Sequence, residues 1–358
     1  MLRFLLIVLV VFIHNCYTTE SIQKIIASGD VPPVFAENAF GRWVKLFITF
    51  GIARSAVPLF FMFAAFLQAK KNDGYPVLLK KRAKSLLLPF VLWTAIYVFY
   101  YGGLKLLVAK IAPQFISHPE NNMLAWTFSE WVHKIFGYRP NGKGGLDLPE
   151  LAVQFWFVRD LMILVIISPV LKWLIKNFPI GFLFFVTAVY AVPVQLYVLV
   201  SQALFFYVLG LYWGMYDIPL FETVDKISWK EVALLYMLSF FYTYKIGGGD
   251  HSTEHYFMVI TSCVILLKLS ALIIKKEKLY AASSYLAGFS FFLFALHAPV
   301  LNGTVSKLWI RFFPMKNTFF CLLQYFVPTI LVISIGTGIG IVLKKVCPPL
   351  FRLLNGGR

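Results

Sequence analysis

No charged residue occurs between Lys176 and Asp217, and nothing constrains this chain more. A single helix over that stretch would run roughly 60 Å, about twice the hydrocarbon thickness of a bilayer. The run must therefore turn back on itself, and Pro193 with Gln195 offers the place. The rest of the chain reads the same way. Of its 358 residues 59% are hydrophobic and only 14% charged, where a soluble domain carries about 25% charged. Apolar runs predict about ten spans, near 2–17, 46–68, 86–108, 151–171, 178–193, 197–216, 231–246, 256–274, 284–301 and 319–343. The expected fold class is all-α: a polytopic integral membrane helical bundle, one domain over 1–358, with membrane lipids around it.

The net charge of +17 would suit nucleic acid if it formed a patch, but the basic residues sit in short clusters between apolar runs. Arg3, Lys70, Lys71, Lys80, Lys81, Arg82, Lys84, Lys172, Lys176, Lys226, Lys230, Lys275, Lys276, Lys278, Lys344 and Lys345 all fall on one side of the ten spans. By the positive-inside rule that side is cytoplasmic, which places both termini inside a multi-pass protein of the cell (inner or plasma) membrane. A basic loop at 69–85 is then cytoplasmic, and larger loops at about 18–45 and 109–150 face outward. The first run is not followed by a small-x-small cleavage site, and Asn15 before Cys16 does not suit a lipoprotein signal, so it is expected to be a retained, short span. The four cysteines have neither paired nor metal-ligand spacing.

Ionisable residues inside spans mark a functional site by default. Eleven steps of 1.5 Å separate Arg3 from His14, roughly 16 Å, about half of a bilayer core. The same arithmetic puts Arg54, Arg159, Asp160 and His297 at similar heights, between the midplane and the outer third. Five groups sharing one slab point to a common polar cavity. Each also has a plainer reading. His14 could be an interfacial histidine, Arg54 could pair with Asp160, and His297 could bond a backbone carbonyl beside Pro299. Arg159 and Asp160 stand about 100° apart on a helix, so both facing one cavity is not forced. Lys268 is close enough to the inner face to snorkel and receives no role.

Two motif-like stretches are set aside. Gly137 to Gly144 nearly spells a P-loop but lacks the Ser/Thr that holds Mg²⁺ and follows no strand pattern. His251, Glu254 and His255 have the H-x-x-E-H spacing of a metalloprotease class but no obvious third ligand. No metal is expected.

Five stretches, in order along nearly the whole chain, resemble the acyltransferase-3 family of polytopic membrane O-acyltransferases, which modify cell-surface glycans. They are Arg3 with His14 eleven residues on, ARSAVPLFFMFAAFL, KKRAKSLLLPF, FWFVRDLMILVIISPVL and FFLFALH. The match departs at Ala64-Ala65, where Ser-Gly is usual, and no acidic residue precedes Arg3. The resemblance implies an acyl-CoA donor, usually acetyl-CoA, approached from the cytoplasm, and an acceptor hydroxyl on an extracytoplasmic glycan or lipid-linked sugar. It also singles out Arg3 and His14. Acyl transfer needs a base and an oxyanion stabiliser. His14 suits the base; Arg54 or Arg159 the oxyanion, with Asp160 orienting a histidine or balancing an arginine. Lys80, Lys81, Arg82 and Lys84, with Arg3, are the expected holders of the donor's phosphates. The alternative is a transporter exporting a surface polysaccharide or its precursor through the same cavity, although no internal repeat of transporter type is apparent.

Overall fold

Backbone polar groups in lipid must be satisfied internally, and every regular element among the described residues is helical. The computed structural model describes residues 1–15, 38–71, 73–104, 107, 110–111, 123, 126–137, 149–192, 199–246 and 253–357. The elements are α1 (Leu2–His14), α2 (Ala39–Ala69), α3 (Tyr75–Gly103), α4 (Phe128–Phe136), α5 (Trp156–Asn177), α6 (Pro179–Ala191) and α7 (Ser201–Met215). They continue as α8 (Leu220–Asp225), α9 (Trp229–Lys245), α10 (Thr253–Ile274), α11 (Glu277–Ala287), α12 (Ser290–Phe312), α13 (Thr318–Val346) and α14 (Pro348–Leu354).

Each expected span overlaps one of these helices. Among the described residues, α2, α3, His255–Ile274 of α10, and α13 are each long and apolar enough to cross a membrane, and α11 with α12, bent by 54°, makes a fifth. Two differences matter. The expected basic loop at 69–85 is largely helix, because Tyr75–Arg82 starts α3 with Pro76 in its first turn, where a missing N–H is harmless. The ninth span is two helices with a bend, and its second half runs on to Phe312, past the expected end at 301. The turn expected at Pro193 lies outside the described residues.

Small residues set the closest helix contact. Gly210 and Gly214, four apart on α7, lie against Met62, Ala65, Phe66 and Ala69 of α2. A Cβ on Gly210 would strike the Met62 carbonyl oxygen, and one on Gly214 would come within 2.6 Å of the Ala69 Cβ. This is the small-xxx-small packing by which membrane helices approach closely. Ala65, fully buried, takes part in it despite standing where a glycine is usual.

α1 packs against α2, α11, α12 and α13, with Leu6, Ile7, Val10 and Val11 buried. The last helix, α14, closes the bend between α11 and α12. Asn355 accepts from the Phe292 N–H at 3.0 Å and donates to the Gly288 carbonyl at 2.7 Å, while Trp93 of α3 donates to the Leu354 carbonyl at 2.9 Å. Lys268 does have a role: only 3% exposed, it donates to the carbonyls of Val224, Asp225 and Ile227 at 3.2, 3.3 and 2.7 Å, capping the end of α8. α4 begins with a Thr127–Glu130 capping box and is tied to the approach to α5 by Lys134 donating to Glu150 at 2.5 Å, which holds that carboxyl below its ordinary pKa.

Gly210→Ala is expected to destabilise the bundle by about 1–3 kcal/mol, the range for overpacking a close contact. The measurement is the thermal midpoint of the purified protein in detergent; an unchanged midpoint would show that α2 and α7 are not so close.

Candidate functional site

The C-terminal carbonyls of a helix lack intrahelical partners. At the end of α1 side chains supply them. Asn302 of α12 donates to the His14 carbonyl at 2.5 Å. The next residue, Asn15, is fully buried and serves as a junction: it donates to the Tyr325 carbonyl at 3.0 Å and to Thr329 at 2.6 Å, and accepts from Ser306 at 2.9 Å. Thr49 of α2 joins the same group through the Tyr325 hydroxyl at 2.7 Å. α1 is therefore pinned to α2, α12 and α13 at its histidine end, and the His14 ring is held in place, half-buried.

His297 reaches the same place from a break in α12. The helix leaves α-geometry at Ala298 (φ −128°, ψ 153°) and continues through a π-turn, His297–Leu301. The ring of His297 is fully buried and meets that of His14 edge-on, centroids 5.0 Å apart. Its Nδ1 lies 2.7 Å from the Phe294 carbonyl oxygen. A carbonyl can only accept, so Nδ1 carries the proton and Nε2 of the neutral ring presents a lone pair. Among the described residues that Nε2 is buried with no hydrogen-bond partner. The plainer reading of His297, a bond to a carbonyl near Pro299, is thus also true: that bond selects the tautomer a proton acceptor needs.

Arg54 sits in a short 3-10 turn, Ile52–Ser55, with its guanidinium 4.9 Å from the centroid of the Phe50 ring, and its charge acts on His14. Arg159 and Asp160 are placed otherwise. Arg159 Nε donates to Asp160 Oδ1 at 2.8 Å, another nitrogen of Arg159 donates to the Phe136 carbonyl, and Asp160 Oδ2 accepts from the Val200 N–H at 2.9 Å. Asp160 is committed to Arg159 and a backbone amide rather than to a histidine or to Arg54. The pair fastens α5 to the end of α4 and the start of α7. The five residues expected at one height thus form two groups: His14, His297 and Arg54 in one, Arg159 and Asp160 in the other.

At the opposite end of α1, the charge of Arg3 reaches Arg82 of α3. Nearby, Tyr207 donates to Gln68 at 2.9 Å, and Gln68 in turn donates to Ser168 at 2.9 Å. Lys80 and Lys84 are exposed on the same helix, and Lys81 pairs with Asp73 at 2.6 Å, holding that carboxyl below its ordinary pKa.

Residues that charge-based reading passed over complete the site. Tyr97 and Gln154 grip the break in α12, and Asn15 and Asn302 fix the end of α1. All four are neutral, so no charge at depth announced them; the signal was Pro299 directly after the histidine segment. His251 and most of the P-loop-like stretch lie outside the described residues, as does Cys16. Gly137 ends α4 in the left-handed conformation, as a helix C-cap. No group of three or more His, Cys, Asp or Glu that could hold a metal occurs among the described residues.

Fold and site define a membrane-embedded helical protein with a histidine pair at one end of its first helix and Arg3 at the other, within electrostatic reach of Arg82. The chain belongs to the acyltransferase-3 family: the profile described as "Acyltransferase domain" matches residues 1–344. It is similar to the succinoglycan biosynthesis protein ExoH of Rhizobium meliloti (strain 1021), 21% identical over 377 residues, which take in 100% of this chain and 91% of that protein. No solved structure matches.

Asp160→Asn is expected to lose folded protein rather than turnover of the folded fraction, since it leaves the Arg159 charge buried without a carboxylate, at about 3–5 kcal/mol. Thermal stability and activity per folded molecule, measured together, check this; a stable but inactive variant would return Asp160 to the chemistry.

Proposed function

We propose that this protein transfers an acyl group, in the first instance acetyl, from a cytoplasmic acyl-CoA to a hydroxyl of an extracytoplasmic or lipid-linked glycan. The observation that carries the reading is the unpartnered, buried Nε2 of His297 beside His14. A sugar hydroxyl is a weak nucleophile and needs a base within hydrogen-bond reach in a site that excludes bulk water. In the proposed step a histidine takes the hydroxyl proton as the oxygen attacks the thioester carbonyl. The positive charge of Arg54 stabilises the tetrahedral oxyanion. Collapse breaks the C–S bond, and the departing CoA thiolate takes the proton back from the imidazolium, leaving ester and free thiol.

Arg3 and Arg82 suit the donor's phosphates. Two guanidiniums brought together from separate helices repel, and an anion bound between them removes that cost. Lys80, Lys81 and Lys84 on the exposed side of α3 add to the attraction; their position matches the basic side that the positive-inside rule assigns to the cytoplasm. A relative named for succinoglycan biosynthesis supports a polysaccharide as acceptor.

Two outcomes are expected. His14→Ala and His297→Ala abolish acylation of the surface polymer, read by mass spectrometry, while unmodified polymer still reaches the surface; loss of the polymer itself would mark an exporter. Arg82→Gln and Arg3→Gln each raise the KM for acetyl-CoA about tenfold or more, the loss of one charge-assisted contact, with kcat little changed. An unaltered KM would leave those residues a topogenic role only.

A further inference from the structure

We propose that Tyr97 and Gln154 are positioning residues for His297: together they hold the break in α12 in the conformation that sets the His297 ring against His14. The inference rests on the histidine pair being the reacting site.

Two carbonyls at the break have lost their helical partners, each for an identifiable reason. The carbonyl of Ala295 would accept from the residue four places on, which is Pro299 and has no N–H. The carbonyl of Ala298 would accept from Asn302, but the π-turn directs the Asn302 N–H to His297 and Pro299 instead. Tyr97 of α3 and Gln154, just ahead of α5, supply both. The Tyr97 hydroxyl lies 2.7 Å from the Ala295 oxygen and 2.6 Å from that of Ala298; Gln154 Nε2 donates to the same two at 3.0 and 2.5 Å. Tyr97 is 3% exposed and Gln154 1%, so bulk water is not at hand to replace them.

His297 lies between the two carbonyls in sequence, and its Nδ1 partner, Phe294, is the residue before Ala295. A carbonyl left unpaired at this depth costs several kcal/mol, enough to drive the break toward another kink that turns the His297 ring away from His14. Neither Tyr97 nor Gln154 is placed to touch substrate; they act through the break.

Hydrogen counting makes the proposal specific. Tyr97 has one hydroxyl proton and serves one carbonyl at a time, whereas the Gln154 amide has two hydrogens and can serve both. Tyr97→Phe should therefore leave kcat within about threefold of the parent. Gln154→Leu, which strands one carbonyl, should lower kcat about tenfold. The double variant strands both and should fall a hundredfold or more, beyond the product of the single effects, as coupled residues do. The KM for acetyl-CoA should stay unchanged in all three, because the donor's phosphates are held at the other end of α1.

The experiment uses the full-length purified protein in detergent, with radiolabelled acetyl-CoA and bulk surface polysaccharide from cells lacking it, and takes kcat and KM separately. Thermal midpoints accompany each variant; if the double does not fold, Gln154→Leu carries the test alone, since Tyr97 still serves one carbonyl. A kcat for Gln154→Leu and the double within twofold of the parent, or a loss that appears only in KM, overturns the proposal. His297→Ala in the same assay separates the two levels: if its turnover survives, the reading of the site fails; if its turnover is lost while the clamp variants keep theirs, the clamp alone fails.

Discussion

Pro299 has no hydrogen to give the carbonyl four residues before it, and the far half of the bundle is arranged around that missing bond. In water the gap would be filled by solvent; inside a bilayer it has to be filled by protein. Tyr97 comes from α3 and Gln154 from the turn just ahead of α5, so one imino acid in α12 determines where two other segments must present a polar side chain. The ring stacking of that region follows from the same meeting. Tyr97 and Phe294 both pack on Phe155, the residue after Gln154, at 6.3 and 6.2 Å between centroids.

The end of α1 obeys the same rule by a different route. A helix end buried among other helices leaves carbonyls to be satisfied, and α1 stops at His14, beside the buried Asn15. Asn302 covers the His14 carbonyl, and Asn15 gathers Ser306, Tyr325 and Thr329. Two discontinuities, one helix end and one helix break, are thus each sealed by neutral side chains, and a histidine sits at each. That the imidazoles meet at 5.0 Å is a result of the sealing. No direct attraction between the two rings is required.

This explains what could be read from the residues and what could not. Apolar run lengths gave the helices, and helical rise pointed to His14 and His297, whose rings meet, because both depend on distance along an axis. Azimuth does not follow from height. Arg159 and Asp160 were expected in the same slab as the histidines, yet adjacent positions on α5 let them close on each other and on the Phe136 and Val200 backbones. Tyr97, Gln154, Asn15 and Asn302 were invisible for another reason: their partners are main-chain atoms or, for Asn15, the neutral hydroxyls of Ser306 and Thr329, which no charge pattern advertises. The Ala64-Ala65 departure lost its meaning for a third, since the glycines that permit close packing there belong to α7. Family membership covers 1–344, whereas the Asn355 seal of the α11–α12 bend lies beyond it, in residues whose role only the folded chain displays.

The brevity of α1 ties the two ends of the molecule together. Its 13 residues rise only about 20 Å, two thirds of a typical hydrocarbon core. In the proposed reaction Arg3 marks the level of the donor's phosphates and His14 the level of the attacked carbonyl, so a thioester on a flexible arm has that one distance to cover. A longer first helix would lift the base out of the arm's reach, or would need the sealed end of α1 to move toward the far interface, where water could serve its carbonyls. Asn15 and Asn302 would then have nothing to seal. In the proposed reaction the short first span, the buried asparagines at its end and the position of the histidine are a single constraint, set by how far an acyl group has to be carried from Arg3.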